Sequence, residues 1–136
     1  MELSLEVVTA QRTLLSETKI LRARITTEFG ELGVEPGHTA LLAKLKPGIL
    51  EYIDENQTRT ELFINGGILE IQPNKVTILA DEGLRSEELD ANAIADAMKK
   101  AQDVLNSADS KLDRSAALAQ LSALAVQKQL LKRRGL

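Results

Sequence analysis

Few side chains in the sequence could do chemistry. His38 is the only histidine among 136 residues, and cysteine is absent. One imidazole without thiolates cannot assemble a usual structural zinc site, and disulfides are excluded. A Ser-His-Asp arrangement would have to pass through His38, yet no serine stands in a nucleophile motif. Gly30, Gly33 and Gly37 fit neither the phosphate loop GxxxxGK[ST] nor the dinucleotide pattern GxGxxG. The paired carboxylates, Glu87 with Glu88 and Asp54 with Glu55, sit in polar segments and read as solvated turn and helix-start charges. These residues predict no catalytic site, no metal site and no cofactor.

His38 lies inside GELGVEPGHTALLAKLKPG, Gly30 to Gly48. The glycines can supply positive φ, while Pro36 and Pro47 fix φ and remove ladder donors, so no long strand is expected here. A shaped loop of this kind suits binding. A corner of the fold is an equally good description, with Leu41, Leu42 and Leu45 plugging the core and His38 partly buried. A second cluster, Lys128, Lys132, Arg133 and Arg134, forms a basic end with no acidic neighbour. Such cations suit a helix C-terminus.

Composition narrows the elements that must position these residues. The chain is 43% hydrophobic but only 2% aromatic, so its core must be aliphatic. No apolar run approaches the roughly 18 residues needed to span a bilayer, and no secretory signal pattern opens the sequence. Direct membrane insertion is therefore not expected. The net charge of −3 disfavours nucleic-acid binding, which usually needs a basic face. Charge is uneven: residues 1–85 hold 9 Lys/Arg and 13 Asp/Glu, whereas residues 86–136 hold 8 and 7.

The hydrophobic period changes at the same place. In the first part Leu3, Leu5 and Val7 alternate with Ser4 and Glu6. Thr18 to Thr27 reads as a strand with an irregularity. Ile49–Ile53 and Arg59–Ile64 flank DENQT as a hairpin. Gly66-Gly67 is expected to break the chain before Ile68–Ile71, QPNK to turn it, and Val76, Ile78 and Ala80 to alternate again. Short strands with frequent turns and no crossover helices predict an antiparallel β-sandwich or flattened barrel over 1–85. After Ser86 proline disappears and glycine occurs only at 135. Asp90, or Ser86 one turn earlier, is positioned as an N-cap. Ile94, Met98, Ala101, Leu105 and Ala108 form one stripe, residues 106–110 read as a break, and Ser110 with Asp113 marks a second start. That helix should run to about Arg134, with Leu118, Leu121, Leu124 and Ala125 on its apolar side. The fold class is thus α+β, a sandwich followed by a two-helix hairpin over 86–136. Ala116, Ala117, Ala119, Ala123 and Ala125 favour helix but bury little area, so a weakly held, detachable hairpin is expected.

GELGVEPGHTALLAKLKPG resembles the signature GxxGILPGHxPLLxxLxPG of the ε subunits of bacterial and chloroplast F-type ATP synthases. NGGILEIQPNKVTILAD is similar to that family's GG-aliphatic-Glu-aliphatic strand pair, and EELDANAIADA to the start of its helical hairpin. The resemblance extends over essentially the whole chain. It implies a non-catalytic rotor subunit whose sandwich docks on γ and the c-ring and couples ion flow to ATP synthesis. It also implies a hairpin that extends toward the α and β subunits and inhibits ATP hydrolysis. Carried over by motif, Glu31, Gly33, His38 and Leu42 fall at docking positions. Lys128, Lys132, Arg133 and Arg134 fall where an acidic segment of β would be met. A peripheral place on the cytoplasmic face of the bacterial inner membrane, or on the stromal side of a thylakoid, follows from the same likeness. Truncation after Leu84 is expected to preserve assembly and raise hydrolysis.

The sequence departs from that pattern at three places. Glu35 replaces a commonly apolar or aromatic residue, and Thr39-Ala40 a frequent Ala-Pro. LDANAI, Leu89 to Ile94, keeps Asp90 of the nucleotide motif (I/L)DxxRA but has Ala93 in place of arginine, so weak or absent ATP binding is expected. Two alternatives compete: a soluble adaptor whose hairpin inserts into another large enzyme, and a ligand-binding sandwich with an accessory hairpin. Neither requires the Gly30–Gly48 motif.

Overall fold

The computed structural model describes residues 2–134. Alternation in the first part produces seven strands: β1 Leu3–Val8, β2 Thr13–Thr27, β3 Gly30–Val34, β4 Leu41–Leu45, β5 Gly48–Asp54, β6 Arg59–Gln72 and β7 Lys75–Arg85. Strand β1 pairs with both β2 and β7, β7 with β6, β6 with β5, and β5 with β2. The circuit therefore closes on itself, which removes most of the free edge. The β1–β7 pair is parallel; the other pairs are antiparallel. Inward positions of this β-sandwich carry the expected aliphatic core, including Leu3, Leu5, Val7, Leu50, Leu69, Ile71, Val76 and Ile78.

The irregularity in the second strand is a register shift between Ile20 and Arg22 in its pairing with β5. It switches the inward parity, so Ile20 and then Ala23, Ile25 and Thr27 are all buried. Strand β2 also starts earlier than expected, at Thr13. Across DENQT, Asp54 Oδ1 accepts the N–H groups of Asn56 at 2.8 Å and Thr58 at 3.0 Å, closing the β5–β6 hairpin.

Gly66-Gly67 does not end a strand, contrary to expectation. β6 runs through both glycines, with φ of +68° and +117°, and exchanges its partner there from β5 to β4. A Cβ on Gly67 would lie 2.1 Å from the carbonyl oxygen of Leu79. The glycines thus bend one long strand across two pairings instead of interrupting it.

One compact unit ends at Arg85 and a second begins at Ser86. The second opens with a 3-10 turn, Ser86–Glu88, followed by α1 Ala91–Ser107 and α2 Lys111–Arg133, which pack on one another. Asp90 caps α1, its Oδ1 accepting N–H from Asn92 at 2.9 Å and Ala93 at 3.3 Å. Helix α1 continues through Asn106 and Ser107, leaving a shorter break than expected before Ser110. Ser110 Oγ accepts the N–H of Asp113 at 3.0 Å and caps α2. The three-residue connection makes the helices antiparallel neighbours.

On α1, Ile94 and Ala101 of the expected stripe are buried and Met98 and Leu105 half-buried, as is Ala108 just beyond its end. On α2 the expected apolar side needs correction. Leu118 and Ala125 are exposed, whereas Ala117, Ala123, Leu124, Gln127, Leu130 and Leu131 are buried. The true face repeats at 117, 124 and 131, and Leu118 lies about 100° round the helix from Ala117. Ala116 and Ala119 are also exposed, so these alanines act through helix propensity more than through packing. Gly135 and Leu136, the end of the expected helical segment, lie outside the described residues.

Candidate docking surface

The Gly30–Gly48 stretch folds as two short strands around a shaped loop. β3 pairs with β2, placing Glu31 opposite Thr26 and Gly33 opposite Arg24. Leu32 and Val34 alternate toward the interior, so Glu31 and Gly33 face outward. Glu31 Oε1 lies 3.3 Å from Arg24 Nε, with both side chains about 60% exposed. A pair in that much water contributes little to stability; it places a cation beside the Glu31 carboxylate. Among the described residues, nothing lies within 4 Å of where a Cβ on Gly33 would be. Its φ is not in the left-handed region. Neither space nor backbone conformation within this chain demands glycine at that position.

The turn before β3 adds a residue that sequence reasoning passed over. Thr27 Oγ1 is buried, donates to the Gly30 carbonyl at 2.8 Å and accepts the Phe29 N–H at 3.1 Å. This holds Phe29 at the tip, 88% exposed. The other phenylalanine, Phe63, is fully buried. The signal was available: one of two phenylalanines stands between Glu28 and Gly30 in a tight turn.

After Val34 the chain makes a turn from Glu35 to His38. The His38 N–H donates to the Glu35 carbonyl at 3.2 Å, with Pro36 second and Gly37 third at φ +85°. Proline followed by a positive-φ glycine is the chemistry of a type II turn. The Gly37 N–H donates to the Pro73 carbonyl at 2.7 Å, fastening the loop to the β6–β7 turn. His38 is half-buried, as expected for a corner, and its Nδ1 lies 2.6 Å from the Thr39 carbonyl oxygen. Among the described residues, the hydrogen-bond partner of the ring is this main-chain oxygen.

The expectation that Leu41, Leu42 and Leu45 together plug the core fails for two of them. β4 alternates: Ala43 and Leu45 point inward, while Leu42 is 70% exposed and Leu41, at the strand's end, 39%. The structure brings some of the named docking residues together and separates others. Gly33 and His38 line one cleft of about 460 Å³ with Arg22, Arg24, Glu35 and Glu51. Glu31 joins it through Arg24. Leu42 opens instead into a separate depression with Leu41, Glu70 and Gln72.

The basic end is also divided. Lys128, Lys132 and Arg133 are exposed along α2, with Lys132 and Arg133 in its last turn. Arg134 is half-buried and donates through Nη1 to the Ser86 carbonyl, so it is not a purely solvated end. Asp90 and Ala93, the positions that the motif resemblance compares with a nucleotide motif, are joined by the α1 cap. The Asp90 carboxylate accepts the Ala93 N–H, and Ala93 offers no side-chain donor. No group of three or more potential metal ligands exists among the described residues. No described helix is long and apolar enough to cross a membrane.

Comparison with known proteins agrees with this architecture. Residues 2–86 match the family model described as "ATP synthase, Delta/Epsilon chain, beta-sandwich domain". ATP synthase epsilon chains from strains of Acinetobacter baumannii are 42% identical over 104 residues, covering 76% of this chain and 75% of theirs. A chain of the Euglena gracilis mitochondrial ATP synthase, solved with OSCP, F1 and c-ring, superposes with a TM-score of 0.85. It is 24% identical and covers 96% of this chain and 81% of its own. A chain from the central stalk and c-ring of the Tetrahymena thermophila mitochondrial enzyme gives a TM-score of 0.68 at 15% identity, covering 96% and 97%. At those identities the structural likeness speaks for the fold; the sequence matches speak for descent. The chain belongs to the ATP synthase delta/epsilon chain family.

Proposed function

We propose that the chain is a non-catalytic central-stalk subunit of an F-type ATP synthase, rotating with γ and the c-ring and coupling ion flow to ATP synthesis. In this reading Glu31, Gly33, His38 and Leu42 dock the sandwich on the c-ring and γ. The observation that carries the proposal is Gly33. It faces open space with no internal need for glycine, on an outward strand face beside the Glu31 carboxylate and its Arg24 partner. A missing side chain there lets a partner's backbone approach closely. The exposed Leu42 supplies apolar area for the same purpose. The chain then sits peripherally on the cytoplasmic or stromal face of the energy-transducing membrane, held by its protein partners.

The helical unit is the regulatory part of this reading. Its helices carry their own caps at Asp90 and Ser110, so each can persist when the pair opens. Extended toward the α and β subunits, α2 presents Lys128, Lys132, Arg133 and Arg134 to an acidic segment of β and blocks hydrolysis. Removing the helical unit tests this. Arg85 belongs to β7 and donates to the Leu14 carbonyl at 3.0 Å, so the cut is better placed after Arg85 than after Leu84. Complexes reconstituted with residues 1–85 should assemble and hydrolyse ATP faster than those with the full chain. Equal hydrolysis by the two complexes rejects the inhibitory role.

A further inference from the structure

Arg134 stands apart from Lys128 and Lys132. Its guanidinium Nη1 donates to the main-chain carbonyl of Ser86, the first residue of the helical unit. The same carbonyl accepts the N–H of Leu89 at 3.2 Å. A carbonyl oxygen has two lone pairs, so these donors fill its capacity. The Arg134 N–H returns to the Leu131 carbonyl at 3.1 Å, and Leu89 and Leu131 are both buried. One oxygen atom thus joins the first and last turns of the unit, 48 residues apart. Beside it the Ser86 hydroxyl is buried with no partner among the described residues. A buried hydroxyl left unsatisfied destabilises the arrangement that buries it.

We propose that the Arg134–Ser86 bond is a latch that holds the hairpin shut, and that the unpaired Ser86 hydroxyl sets it close to balance. While the latch is made, the two ends of the unit are pinned together and the Arg134 charge is occupied. When it opens, Ser86 regains solvent for both its carbonyl and its hydroxyl, and Arg134 becomes free for an acidic partner. That last consequence rests on the extended, inhibitory state proposed above; the latch does not. Arg134 would then act in two states, stabilising the closed hairpin in one and the contact with β in the other.

Amide hydrogen exchange on the full-length isolated chain tests the latch, because it is blind to inhibition. Loss of a charge-assisted hydrogen bond at a half-buried site should speed exchange at Leu89 and Leu131 about tenfold in Arg134→Ala. Lys132→Ala removes the same charge two residues away without the bond, and should change those amides less than about twofold. Ser86→Ala deletes the orphaned hydroxyl and keeps the carbonyl, so it should slow exchange there several-fold. Core amides of Leu50 and Ile78 should not move, which confirms that the sandwich of each variant is folded. Unchanged exchange in Arg134→Ala, or equal effects of Arg134→Ala and Lys132→Ala, overturns the latch. Failure of the inhibitory reading would appear separately, as unaltered hydrolysis by complexes holding residues 1–85.

Discussion

Replacing Leu42 with alanine should separate docking from folding. In the isolated chain the residue is 70% exposed, so about seven-tenths of its area is available to a partner. Fully burying a leucine side chain contributes about 1.5–3 kcal/mol, which scales here to about 1–2 kcal/mol. The docking Kd should rise about 5- to 30-fold. The remaining three-tenths buried within the chain makes the cost to fold stability less than about 1 kcal/mol. Leu45→Ala, at 7% exposure three residues further along the same strand, should show the reverse, losing about 2–5 kcal/mol of stability. The natural chain has no cysteine, so one introduced at the exposed Lys111 can carry a fluorophore. Anisotropy titration onto solubilised complexes depleted of the chain gives Kd, and urea unfolding of the free variants gives stability. A Kd within twofold of wild type, or an unfolding penalty equal to that of Leu45→Ala, refutes the assignment of Leu42 to a docking surface.

Three other substitutions or titrations follow from the same structure. Gly67→Ala places a Cβ against the Leu79 carbonyl at a φ of +117°, where backbone must move; urea unfolding should show a loss of about 3 kcal/mol or more, and a loss below 1 kcal/mol would contradict the bend. Asp90→Ala removes the acceptor for two N–H groups at the start of α1. It should lower hydrogen-exchange protection in the first turn by about 1 kcal/mol without changing the sandwich amides, whereas full retention of protection rejects the cap. Calorimetric titration of the free chain with ATP should give no micromolar binding, since Asp90 is engaged as a cap and Ala93 has no guanidinium; heat of micromolar affinity would show another donor set at work.

Much of the architecture was legible because its signals are local. Alternation marked the inward residues of β1 and β7, and Asp90 and Ser110 marked both helix starts. What escaped was set by tertiary geometry. Gly66-Gly67 looks like punctuation in the chain, but the structure uses positive φ to carry β6 from one partner strand to another. Leu41 and Leu42 look like core because they are leucines, yet β4 alternation gives the inward places to Ala43 and Leu45. On α2, Leu118 and Ala117 are adjacent in sequence, and only packing decides which of them is buried. Glu31, Gly33 and His38 could be named from motif resemblance alone, but the Arg24 partner and the shared cleft came from strand pairing. The Arg134–Ser86 contact spans 48 residues and left no periodic trace.

Affinity purification of the full-length chain from solubilised membranes of its host tests the central claim most directly. The account predicts that γ, α, β and c subunits of the ATP synthase co-purify with it in stable proportion. Capture of a different large enzyme, with those subunits absent, would contradict it.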